Sequence, residues 1–211
     1  MIAVLDYGIG NLRSAEKALE HVGADARLVD SPGGAIDASG VVLPGVGAFG
    51  ACAKALRDSG LDEVVRLCIS DGRPFLGICV GLQLLFERSE EDPDVPGLGI
   101  LKGTVAPLPE SERRPQMQWN LVTRPSGRSS RLLGEAASAW YYFVHSFAPV
   151  PEGSEALDAV VGTCDYGQRL AVVFERGNLF GTQFHPEKSA SAGLQLMARF
   201  ARICAEESRA S

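Results

Sequence analysis

Short, wholly apolar runs alternate with stretches whose apolar residues recur every three or four positions, and this alternation governs the first half of the chain. Ile2 to Leu5 reads as a strand, and Asn11 to His21 as a helix with Leu12, Ala15, Ala18 and Leu19 on one face. The pattern repeats with Ala26 to Val29, then Val41 to Leu43 running into P-G-V-G, then helical stretches from about Ala48 to Ser70. Phe75 to Ile78 is the next strand, followed by a helical Leu82 to Arg88. Strands with no polar face belong to a mostly parallel sheet covered by helices on both faces. An α/β sheet of this kind places its chemistry at the carboxyl ends of the strands.

From Glu90 to Gly134 the periodicity gives way to Pro, Gly, Ser and charged residues, which predicts surface loops and irregular antiparallel strands. Order returns in strand-sized pieces rich in aromatic and β-branched residues: Trp140 to Phe147, Asp158 to Cys164, Leu170 to Glu175 and Leu179 to Phe184. Ala190 to Glu207 reads as a closing amphipathic helix.

Composition narrows the class. A chain of 211 residues can bury a sizeable core and is expected to form one domain over 1–211. With 45% hydrophobic and 22% charged residues it reads as soluble and globular. No apolar stretch is of bilayer length, and the N-terminus lacks the basic region and cleavage site of a signal peptide, so no membrane association and a cytoplasmic location are expected. A formal charge of −6 speaks against nucleic acid as a partner. Arg113, Arg114, Arg124, Arg128 and Arg131 read as a solvated loop. The cysteines, at 52, 68, 79, 164 and 204, are odd in number and lack ligand spacing, which argues against a disulfide framework or a metal site. No phosphate-loop ending follows P-G-V-G, and no cofactor is implied.

Candidate chemistry concentrates in three segments. In F-L-G-I-C-V-G-L-Q a strand ends at a cysteine bracketed by glycines and a helix begins, the cysteine counterpart of a nucleophile elbow. A helix N-terminus there would favour the Cys79 thiolate, and the N–H of Val80 would face a developing oxyanion. The alternative is a small buried thiol closing a strand, as for the other cysteines. Near the C-terminus a strand delivers His185 into H-P-E-K. Proline at 186 holds His185 extended, so Glu187, two residues on, shares its face and can orient the imidazole. His185 could equally be a structural strand-end histidine, and His145 reads as a packing residue. L-P-G-V-G-A-F offers backbone N–H groups for an oxyanion or, alternatively, only a tight turn.

Together these segments resemble the class I (triad) glutamine amidotransferases. D-Y-G-I-G-N at 6–11, P-Q-M-Q-W-N at 115–120 and Y-F-V-H-S-F at 142–147 point within them to the glutaminase subunits of imidazole glycerol phosphate synthases. The resemblance implies a flavodoxin-like fold with additional antiparallel strands in the C-terminal half, L-glutamine as substrate, and a (β/α)₈-barrel cyclase subunit as partner in a heterodimer. It implies Cys79 as nucleophile, His185 as acid and base, Glu187 as orienter, and Val46, Gly47 and Val80 as the backbone of the oxyanion hole. Gln83, Ser146 and Phe147 would lie near bound glutamine, and Asn11, Trp119, Asn120, Tyr142 and Lys188 at the cyclase interface. Gln118 stands where that family has Gly, and Phe147 where it has Tyr. Other readings are the glutaminase of a pyridoxal phosphate, anthranilate or guanylate synthase, a stand-alone cysteine hydrolase, and a binding module with a vestigial site.

Overall fold

The computed structural model of the chain describes residues 1–210. Strand β1 (Ile2–Leu5) is followed by helix α1 (Leu12–His21), β2 (Ala26–Val29) and β3 (Gly40–Gly45). Helices α2 (Phe49–Asp58) and α3 (Leu61–Ser70) then lead to β4 (Phe75–Cys79). The four strands pair in parallel in the order β2-β1-β3-β4. The chain steps from β1 to one side for β2 and returns to the other for β3 and β4. With right-handed crossovers, that reversal places α1 on one face and α2 and α3 on the other. Every residue of β1, β3 and β4 is buried, as strands without a polar face require. The helical stretches expected over 48–70 are α2 and α3, separated at Gly60, whose φ of 72° breaks the helix.

One expectation fails just after β4. The helix expected from Leu82 to Arg88 is a single turn, α4 (Val80–Gln83), and Phe86–Ser89 is strand β5. The cause is tertiary. Phe86 is wholly buried and packs edge-to-face on Phe174, with ring centroids 5.4 Å apart. β5 pairs in parallel with β6 (Leu101–Pro107), so a second sheet captures residues whose local pattern suited a helix.

That second sheet is completed by β9 (Phe147–Pro151), antiparallel to β6. The remaining elements are β7 (Gln116–Thr123), β8 (Ser138–His145), α5 (Gly153–Asp158), β10 (Val160–Tyr166), β11 (Gln168–Arg176), β12 (Leu179–Thr182) and α6 (Ala190–Ala210). They extend the main sheet to nine strands in the order β2-β1-β3-β4-β12-β11-β10-β7-β8. β12 lies parallel to β4, and the strands beyond it are antiparallel. Several boundaries differ from expectation. The run from Trp140 to Phe147 divides at Ser146 between the two sheets, and α5 shifts the start of the next strand from Asp158 to Val160. No helix is long and apolar enough to cross a membrane among the described residues.

Candidate active site

β4 ends at Cys79, which adopts φ 55° and ψ −111°, a conformation unfavourable for a residue bearing a side chain. The surrounding glycines show why the turn is so tight. A side chain at Gly77 would come within 2.7 Å of the Gly81 carbonyl oxygen, and one at Gly81 would collide with the Leu43 carbonyl. β3, β4 and α4 therefore meet backbone to backbone, which holds Cys79 at the carboxyl edge of the sheet. Because α4 is one turn long, the aligned peptide dipoles expected to favour the thiolate are few.

The candidate base, His185, follows β12. His185 is extended at φ −100° and ψ 97°, as Pro186 demands, but Pro186–Lys188 then forms a 3₁₀ turn. Glu187 thus meets His185 through that turn rather than by alternation along an extended chain. The two side chains are almost completely buried, and the imidazole Nδ1–H donates to Glu187 Oε1 at 2.8 Å. The other ring nitrogen, Nε2, is buried and without a hydrogen bond. Burial alone would push the imidazole down, but the Cys79 sulfur and the Glu187 carboxylate outweigh it and raise it from 6.5 to about 10. That direction favours the protonated ring. β8 braces this segment: the His185 N–H donates to the Tyr142 carbonyl at 3.0 Å, and the Tyr142 N–H donates to the Ser189 hydroxyl at 3.0 Å.

Cys79 and His185 open onto a cavity of about 230 Å³ whose wall includes Val46, Gly47, Val80, Gln83, Ser146 and Phe147. All the residues that the sequence associated with an oxyanion or with bound glutamine thus reach one cavity, smaller than the ~300–1,000 Å³ of drug-sized sites and suited to an amino acid. The Val46 carbonyl accepts from the Cys52 thiol at 3.2 Å. Gln83 Nε2 donates to the Phe147 carbonyl at 2.9 Å and to Gln183 Oε1 at 3.0 Å. Phe147 therefore contributes through its backbone, and a missing ring hydroxyl removes none of these contacts.

Three further residues with polar side chains join the site that sequence reasoning did not place there. Glu91 adds a carboxylate to the cavity wall, its Oε2 accepting from the Phe49 N–H at 2.8 Å. Nothing in E-E-D-P-D distinguishes that acid from its neighbours. His145 lines the cavity as well, and burial lowers it to about 4, so it is neutral. Its Nδ1–H donates to the Phe147 carbonyl, which can only accept, so Nε2 is an acceptor and the Gln116 amide, 2.8 Å away, must present its NH₂ group. Gln183, wholly buried, donates from Nε2 to the Cys79 sulfur at 3.6 Å. Its signal was visible as a polar residue in the apolar run L-F-G-T-Q-F.

The residues assigned to a partner surface fall into two groups. Trp119 and Tyr142 are register partners on β7 and β8 and pack edge-to-face, with ring centroids 6.2 Å apart. Lys188 is exposed in the turn next to them. Asn120 alternates to the other face and donates to the Asp165 carbonyl at 3.0 Å. Asn11 precedes α1, its side-chain oxygen accepting from the Ser14 hydroxyl at 2.8 Å. Three of the five arginines are engaged by neighbouring residues. Arg124, Arg128 and Arg131 line a separate surface groove, where Arg124 donates to the Glu135 carbonyl, Arg128 to Asp158 and Arg131 to Asn178. Among the described residues no cluster of three or more His, Cys, Asp or Glu could hold a metal ion.

Residues 3–203 match the family described as glutamine amidotransferase class-I. The chain is 46% identical over 203 residues to imidazole glycerol phosphate synthase subunit HisH of Moorella thermoacetica, covering 96% of this chain and 94% of that one. It is 41% identical over 202 residues to the chloroplastic imidazole glycerol phosphate synthase hisHF of Arabidopsis thaliana, covering 95% of this chain and 34% of that protein. A solved structure described as a glutamine amidotransferase superposes with a TM-score of 0.73 at 23% identity, over 97% of this chain and 98% of that one, and so shares the fold. A match over nearly the whole length makes the chain a member of the class-I glutamine amidotransferase family.

Proposed function

We propose that this chain is the glutaminase subunit of an imidazole glycerol phosphate synthase, acting in the cytoplasm on L-glutamine and passing ammonia to a (β/α)₈-barrel cyclase subunit. The observation that carries the chemistry is the placement of His185, oriented by Glu187 at 2.8 Å, beside Cys79 on the wall of one cavity. The similarity to proteins named as HisH subunits supports the choice of synthase, and the Arabidopsis relative joins the matched region to further sequence in one polypeptide.

The Cys79 thiolate attacks the side-chain amide carbon of glutamine. A C–S bond forms, and the carbonyl oxygen becomes an oxyanion held by backbone N–H groups among Val46, Gly47 and Val80. The His185 Nε2–H protonates the amide nitrogen, the C–N bond breaks and ammonia leaves, with a glutamyl thioester remaining. Water attacks the thioester and yields its proton to His185. The C–S bond then breaks, releasing glutamate and restoring the thiolate and imidazolium. Gln83, both of whose amide hydrogens are committed to Phe147 and Gln183, offers its Oε1 to the substrate. Glu91 is the carboxylate on the wall that suits the α-ammonium group. Trp119, Tyr142 and Lys188, close to the base, form the surface that meets the cyclase, with Asn11 and Asn120 at its margin.

The test is glutamate release from glutamine by the chain alone and with the histidine-pathway cyclase plus its nucleotide ligand, with Cys79→Ala as the blank. A large rise only in the complete mixture is expected. Full activity without the partner would instead identify an independent hydrolase.

A further inference from the structure

Among the buried polar residues to which the mechanism above gives no role, one touches the sulfur of Cys79. Gln183 follows β12, has no exposed surface, and lies between the substrate-side amide of Gln83 and the sulfur of Cys79. Its orientation follows from its neighbours. The Phe147 carbonyl can only accept, so the group that Gln83 turns toward it must be NH₂, and that same NH₂ group donates to the amide oxygen of Gln183. With its oxygen taken, Gln183 must turn its own NH₂ group to the Cys79 sulfur, 3.6 Å away. The hydrogen-bond network therefore fixes the direction of donation, independent of how the amide atoms are told apart.

That direction matters because the sulfur has competing neighbours. The Val144 carbonyl, 3.9 Å from Sγ, can only accept and so favours the thiol. The helix that follows Cys79 is a single turn and supplies little dipole to favour the thiolate. A buried anion needs hydrogen-bond donors, and an N–H bonded to a charged acceptor is stronger than its neutral counterpart. The side-chain donor that the structure places on this sulfur is the Gln183 amide.

We infer that Gln183 is a further catalytic residue, whose side-chain NH₂, locked by the Phe147–Gln83 relay, touches the reacting sulfur and holds it as the thiolate. The proposal deepens the glutaminase reading and depends on it only for the effect on turnover. The thiolate itself can be read without any glutamine.

The decisive measurement is the rate of Cys79 alkylation by iodoacetamide as a function of pH, with the Cys79→Ala chain as the blank for the other cysteines, all of which are buried. Gln183→Glu keeps an acceptor for Gln83 but turns an oxygen toward the sulfur, and should move the pH midpoint of alkylation upward by about one unit or more. Gln183→Asn keeps a buried amide but withdraws it from the sulfur, and should move the midpoint the same way by less. In the partner-stimulated enzyme, kcat should fall about 10- to 100-fold in Gln183→Glu, with KM changed less, and part of the loss should return at higher pH. A midpoint unchanged in either folded variant overturns the inference whatever happens to activity, since a merely structural amide would lower turnover without moving that profile. A shifted midpoint in a chain that never hydrolyses glutamine would uphold the Gln183 contact and sink the glutaminase reading instead.

Discussion

In the parallel half of the main sheet, β1, β3 and β4 bury every residue, whereas in the antiparallel half β8 alternates, with Tyr141, Phe143 and His145 buried and Trp140 56% exposed. Its neighbour β7 likewise exposes Met117 and Trp119, at 62% and 44%. Registered pairs set Met117, Trp119 and Leu121 against Val144, Tyr142 and Trp140, so the outer face of these strands is an apolar patch beside the segment that carries His185. The buried half fixes Cys79 by backbone contact and has little freedom to vary. Of the half-exposed strands, β8 braces the segment of His185, and both turn a surface outward. The difference teaches that precision and exposure are separated: the candidate nucleophile is held by strands inaccessible to solvent, and the exposed apolar face belongs to strands packed on one side only.

The comparison is broken most severely at the nucleophile. Cys79→Ala should lower glutamate release by on the order of 10⁴-fold or more in the stimulated enzyme, with the melting temperature retained. Glu187→Gln, which leaves His185 in place but removes the carboxylate at its Nδ1–H, should cost about 10²-fold in kcat, read in the same assay. Gly81→Ala tests the backbone crossing itself: a Cβ there meets the Leu43 carbonyl, so a loss of about 3 kcal/mol or more in denaturant unfolding is expected. If that variant melts like the parent, the elbow is not held as described.

Two smaller effects sharpen the contrast on the other side. Burial holds His145 down from 6.5 to about 4, so between those values the unfolded chain binds a proton that the folded chain refuses. Stability should therefore fall as pH drops from about 6.5 to about 4, and His145→Gln should remove that part of the slope in melting curves taken across the window. Trp119→Ala, on the outer face, should change stability by less than about 1 kcal/mol and leave basal hydrolysis alone. It should nevertheless weaken activation by the cyclase, measured as the partner concentration giving half-maximal stimulation. Equal activation in parent and variant would detach that patch from the partner.

The parallel strands, the amphipathic α1 and α6, and the strand-turn carrying Cys79 were legible in the chain because each rests on local pattern: unbroken apolar runs, a 3.6-residue period, glycines around one cysteine. His185 and Glu187 were legible as a pair, although the reason given for their meeting, alternation along an extended chain, was replaced by a 3₁₀ turn. The strand at Phe86–Ser89 was not legible, since its pattern suited a helix and only the pairing with β6 and the contact of Phe86 with Phe174 decided otherwise. Glu91 and Gln183 were missed for a related reason. A loop acid and a buried amide become part of a site only when distant strands bring them to it.

The sequence by itself determined the layers of the fold and the tight strand-to-helix turn at Cys79, because periodicity and glycine spacing act over a few residues. Only the tertiary structure decided that residues from four separate strand ends and the loop after β5 would enclose one cavity. It also decided which way each buried amide points and which strands remain half exposed, since hydrogen-bond direction and burial depend on neighbours far apart in the chain.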